Sequence, residues 1–219
     1  MTLRAALVAM IAGLGAPPAF AHPHLFIDTG VEVIFDAEGR ATALRVTWTY
    51  DEMYSMMIVE DRGLDADFDG ALTPDEQATL GGFDMNWDAG YPGDTYALLG
   101  DTPLALSGPS DWTASYQGGK LISTHLRALE TPVQPGKEPL VVQAYDPSFY
   151  AAYRIVSPAV LTGAAGCEAQ VFEPDLGKAD AILQAAMDEY TAAADPEMAF
   201  PAVGAAYADE VRVTCAARS

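Results

Sequence analysis

Positive charge is scarce in this chain of 219 residues: Lys and Arg together number 11 against 31 Asp and Glu, a formal net charge of -20. Gripping a phosphate backbone takes clustered Lys and Arg, so no nucleic acid is expected as a partner, and an anionic membrane surface is excluded with it. Cysteine is almost absent, two residues with no Cys-x-x-Cys pair, which argues against a zinc-thiolate centre. Beyond the first twenty residues no apolar run reaches the roughly 18 to 20 residues of a spanning helix, so the mature chain is expected to have no membrane span. Neither G-x-S-x-G nor H-E-x-x-H occurs, and the expectation is therefore a protein that is not an enzyme. What is plentiful is core material: half of the residues are hydrophobic and 10% aromatic, enough for a folded acidic domain rather than a disordered acidic tail.

The chain opens with Arg4, an apolar run from Ala5 to Leu14, Pro17-Pro18 and an A-x-A site at Ala19-Phe20-Ala21. That is the pattern of a secretory signal peptide, so residues 1–21 are expected to be removed, leaving one exported domain over 22–219 that begins at His22. Export places Cys167 and Cys215 where disulfides persist, and one bridge between them is expected.

Leu25 to Phe35 and Ala43 to Tyr50 alternate around Asp36-Ala37-Glu38-Gly39 like a hairpin with one wet face. Shorter strands are predicted at Tyr96–Leu99, Trp112–Tyr116, Lys120–Leu129, Leu140–Tyr145, Tyr150–Val156 and Glu210–Cys215. A helix is predicted from Asp51 to Leu64, with Met53, Met56 and Met57 read as packing residues. Another should start at Thr73, with Pro74 at its first position and Glu76 three residues after the cap. A C-terminal helix is predicted over Asp175–Ala193, with Ile182, Leu183, Ala186 and Tyr190 on one side. The fold class is thus α+β: mainly antiparallel β, as a sandwich or open sheet, with an EF-hand-like helix-loop-helix inserted at about 51–82 and a C-terminal helix.

The insertion carries the most specific motif. From Asp65 to Glu76, carboxylates fall at positions 1, 3, 5 and 12 of a twelve-residue loop, with Gly70 at position 6. That spacing predicts a calcium ion held by Asp65, Asp67, Asp69, the backbone carbonyl of Ala71 and a bidentate Glu76. With one loop rather than a pair, the ion is expected to be a structural clip rather than a signal.

Only three histidines occur. His22 and His24 stand at the first and third positions of the expected mature chain, and alternation sends both imidazoles to the same side, about 7 Å apart. His125 lies in the Lys120–Leu129 strand on the face shared with Ser123 and Arg127, read as the polar face. Three imidazoles suit a transition metal: zinc, nickel, cobalt or copper. The α-amine and ring of His22 with a distant histidine would make a T-shaped copper site instead. Incidental histidines at a frayed N-terminus are the plain alternative.

His22-Pro23-His24, Trp48-Thr49-Tyr50-Asp51-Glu52-Met53-Tyr54-Ser55, the Asp65–Glu76 loop, Tyr145-Asp146-Pro147-Ser148-Phe149-Tyr150 and the late cysteine pair together resemble an exported bacterial family classed only as domain of unknown function number one thousand and seven. The resemblance implies a periplasmic protein that accompanies nickel- and cobalt-type permeases, handling divalent zinc, nickel or cobalt, with a membrane permease as partner. The expected function is therefore a metal-binding accessory of a transport system. An exported enzyme using a copper brace or a zinc-bound water, and a calcium-stabilised interaction domain without transition metal, stay open as alternatives.

Overall fold

The computed structural model describes residues 23–189 and 201–216. The expected signal segment, His22 and Tyr190 lie outside the described residues.

Alternation of apolar and polar residues builds the first hairpin. In β1 (Leu25–Phe35) every second residue from Ile27 to Phe35 is buried, and β2 (Ala41–Tyr50) pairs with it antiparallel. The turn is closed by Asp36, whose carboxylate accepts from the backbone N–H and the guanidinium of Arg40, both at 2.8 Å. On its other edge β2 pairs antiparallel with β6 (Lys120–Val133), which pairs on its far side with β5 (Ser110–Gln117). The six-stranded sheet runs β5-β6-β2-β1-β8, with β8 spanning Ala151–Ile155, and β9 (Val160–Thr162) also pairs with β1. Both β8 and β9 run parallel to β1, which the hairpin-like spacing did not predict.

A five-stranded antiparallel sheet runs β10-β11-β7-β3-β4: Cys167–Phe172, Glu210–Cys215, Leu140–Ala144, Thr95–Leu99 and Thr102–Leu104. Val33, Leu44 and Val46 of the first sheet and Leu140, Val142, Val211 and Val213 of the second belong to one hydrophobic cluster. The class is therefore α+β with antiparallel strands dominant. Cys167 and Cys215 face each other across β10 and β11 and form a disulfide. Among the described residues no helix is long and apolar enough to cross a membrane.

Between β2 and β3 the chain makes two helices. Asp51 caps α1 (Glu52–Asp61), accepting from the Tyr54 N–H at 2.9 Å, and its second oxygen takes the Phe26 N–H. The helix stops three residues short of the expected Leu64, because Gly63 adopts φ +65°, a left-handed conformation that ends a helix cheaply. The methionines are a second correction: Met53, Met56 and Met57 point outward, while Ser55 and Val59 are the residues α1 buries. Helical spacing put the three methionines on one face but could not say which face meets the core. α2 (Pro74–Thr79) begins as predicted, with Thr73 and Glu76 closing a reciprocal capping box. In α3 (Leu176–Glu189) the buried pair is Ala179 and Leu183, and Ile182 is exposed.

Candidate functional site

The stretch between α1 and α2 folds on its own carboxylates. Asp65 Oδ1 accepts from the Asp69 N–H at 3.0 Å and the Gly70 N–H at 3.3 Å, and Asp69 Oδ1 accepts from the Ala71 N–H at 2.8 Å. Gly70 takes φ +79°, the conformation the sharp turn requires. As a result carboxylate oxygens of Asp65, Asp67 and Asp69 lie within 4.8 Å of one another. Glu76 closes the loop: its Oε1 accepts from the Asp65 N–H at 3.0 Å, and its Oε2 from the N–H and hydroxyl of Thr73, both at 2.8 Å. Those bonds hold the Glu76 carboxyl below the usual carboxylate range, chiefly through the Thr73 backbone. Three converging carboxylates with no ammonium or guanidinium bonded to them among the described residues repel one another, and a divalent cation with oxygen ligands relieves that repulsion.

Calcium binding here would show as stability. At about 10 mM calcium, a site of roughly 10⁻⁴ to 10⁻³ M adds about 1 to 3 kcal/mol to unfolding. We expect chelator to remove that increment from the native chain and to change nothing in Asp65→Ala; the same melting temperature for the native chain with and without chelator would contradict the assignment.

His24 and His125 do not share one site. His125 is buried: β6 places it, with Ser123 and Arg127, on the inward face opposite Val46 and Trp48. The polar residue types misled the sequence reading, which separated the two faces of β6 correctly but took the buried one for the wet one. His125 lies level with Val46, and Val46 with Val31, so six residues of β1 separate it from Leu25, about 20 Å of strand. His24 precedes Leu25, so His125 cannot join it around one ion. The imidazole sits instead with its ring centroid 4.6 Å from Trp48 and 5.3 Å from Trp87.

Neither ring nitrogen of His125 has a hydrogen-bond partner among the described residues, and burial, then the charge of Arg127, pushes its pKa down to about 4. Between about pH 6.5 and 4 the unfolded chain protonates this histidine while the folded protein does not, so acid erodes stability through it. Asp94 works in the opposite sense. Burial pushes it up to about 6, so on acidification the folded protein takes up its proton before the unfolded chain does, and acid favours the fold. His125→Leu should remove the histidine's contribution and leave that of Asp94 and the other carboxylates in place. We expect its stability relative to the native chain to improve as pH falls from 7 to 5 in urea unfolding; a constant difference would refute the buried neutral imidazole.

His24 lies elsewhere, beside an acidic aromatic cleft that the sequence reading did not foresee. Its backbone N–H donates to the Tyr150 carbonyl at 2.8 Å, and its ring centroid is 5.0 Å from that of Tyr150. Tyr150 lines a cleft of about 590 Å³ together with Trp48, Trp87, Asp84, Asp94 and Asp146. The Tyr91 and Tyr153 hydroxyls donate to Asp94 Oδ2 at 2.7 and 2.8 Å, and the Tyr50 and Ser123 hydroxyls donate to Asp84 Oδ2. Burial raises the Asp84 pKa as well. Asp146 is fixed by the N–H and hydroxyl of Ser148, both at 2.8 Å, the turn role its Asp-Pro sequence implies. Glu52 is spent on an ion pair with Lys120. Trp87, Tyr91 and Asp94 come from the loop between α2 and β3; the density of aromatics from Phe83 to Tyr96 was the available signal.

The family described as "Protein of unknown function (DUF1007)" matches residues 7–215. No curated protein matches the chain.

Proposed function

The chain belongs to this family of unknown function, and from that premise we propose that it is an exported, periplasmic accessory protein of a transition-metal transport system. In this reading calcium clips the Asp65–Glu76 loop as a structural ion, and the cargo is zinc, nickel, cobalt or copper. The cargo is held by His22 and His24, with the α-amine of the mature terminus available as a third nitrogen. His125 takes no part.

The observation that supports the reading is the anchorage of His24, whose N–H bond to Tyr150 and ring contact with it lie beside a cleft with three carboxylates. An anchored histidine loses less conformational freedom on ligation than one at a free end. The net charge of -20 raises the local concentration of cations around it. A membrane permease is the expected recipient or source of the ion.

The test is competition of each metal against a chromophoric chelator, on protein whose chain starts at His22 without a tag. One-to-one binding weakened at least about a hundredfold in the His22→Ala, His24→Ala double variant and unchanged in His125→Ala supports the reading. Equal binding by the double variant refutes it.

A further inference from the structure

The cleft beside His24 is built for more than holding a terminus. Its walls carry three carboxylates, and among the described residues no Lys, Arg or His lines it. The Arg127 guanidinium lies 4.8 Å from the centroid of Trp87, and its Nε and Nη1 donate to the carbonyls of Ser107 and Pro92. Asp94 is 6% exposed and held at φ +44°, a conformation costly for a residue with a side chain. Two orphaned polar atoms border the same space: the indole N–H of Trp48, which is 3% exposed, and Asp84 Oδ1.

These groups discriminate among cations. A bare metal ion needs several ligand atoms converging on one point, and among the described residues Asp65, Asp67 and Asp69 are the group that meets this requirement. Asp84, Asp94 and Asp146 are spread around the cleft. An organic cation suits that spread, because its charge meets one carboxylate while its body covers rings. Trp48 and Trp87 lie 6.2 Å apart and Trp48 and Tyr153 5.8 Å apart, and indole and phenol faces attract ammonium groups. A volume of about 590 Å³ is that of a small-molecule site. A neutral sugar fits less well, since the tyrosine hydroxyls it would need as donors already donate to Asp84 and Asp94.

We propose that this cleft binds an organic ammonium ion, its nitrogen between Asp94 and Asp84 and its apolar body against Trp48, Trp87 and Tyr150. The site is independent of the metal reading. The experiment follows tryptophan fluorescence and heat on adding benzylammonium, its neutral counterpart benzyl alcohol, benzoate and glucose, at neutral pH with chelator present. Benzylammonium should bind at least about tenfold more tightly than benzyl alcohol, and benzoate should not bind. Asp94→Asn, which keeps an acceptor for both tyrosines, should weaken benzylammonium about tenfold or more with little change in melting temperature. Tyr150→Leu, at a half-exposed position, should weaken it too and guards against a folding defect in the first variant. Equal affinity for benzylammonium and benzyl alcohol, absence of benzylammonium binding, preferential binding of glucose, or a native affinity in both variants would each overturn the proposal. Repeating the titration on the His22→Ala, His24→Ala variant separates the two readings, since the affinity should not change there.

Discussion

Replacing Cys167 and Cys215 together by alanine is expected to lower the unfolding free energy by up to about 4 kcal/mol, the loop-entropy figure for a bridge spanning 48 residues. The position of the bridge adds to the expectation. Among the described residues β10 stands at the edge of its sheet and pairs only with β11, and the disulfide joins the first residue of one to the last of the other. Without it, β10 is held by six register pairs. Urea unfolding should show the loss, and amide exchange should show faster opening in Cys167–Phe172 than in the six-stranded sheet. A loss below about 1 kcal/mol would mean that the unfolded chain is constrained by something other than the bridge.

Gly204→Ala is expected to be the most damaging small substitution, costing about 3 kcal/mol or more, the upper range for forcing atoms into a filled interior. Gly204 is buried at the start of a short 3-10 helix, Gly204–Tyr207, and donates its N–H to the Pro147 carbonyl at 3.0 Å. A methyl group there would overlap the backbone carbonyl of Asp146. That carbonyl cannot retreat easily, because the Asp146 carboxylate is tied to Ser148 and to the Ala151 N–H and the Phe149 ring stacks on Tyr207 at 4.3 Å. The Asp146–Ser148 wall of the cleft should shift with it, so thermal unfolding and cleft binding should both suffer. Gly108→Ala is the control: a methyl there meets nothing within 4 Å, and we expect a change within about 0.5 kcal/mol. Equal effects at the two positions would contradict the close approach at Gly204.

Local patterns were legible in the sequence wherever one segment decides its own structure. The Leu25–Tyr50 hairpin followed from alternation, and the start of α2 from Thr73, Pro74 and Glu76. The disulfide followed from two cysteines behind a leader that predicts export. What depended on a partner was not legible. Alternation along β6 sorted Ser123, His125 and Arg127 from Ile122 and Leu126, but which face meets the second sheet is fixed by residues far away in sequence. The parallel pairing of β8 with β1 needs a crossover that leaves no local trace. β10 alternates between half-buried and exposed residues and so lacks the strong apolar period of a core strand. The cleft is the extreme case, assembled from β1, β2, the segment from Asp84 to Asp94 and the Asp146–Tyr150 turn. No single stretch announces it.

The central claim is that the transition ion is held by His22 and His24 and not by His125. With only three histidines in the chain, nitrogen NMR of the imidazoles resolves it directly, each signal being identified by its own alanine variant. On adding one equivalent of zinc to calcium-loaded protein that starts at His22, the His22 and His24 ring nitrogens should shift while those of His125 stay in place. Movement of His125 with the other two, or of none of the three, would contradict the account.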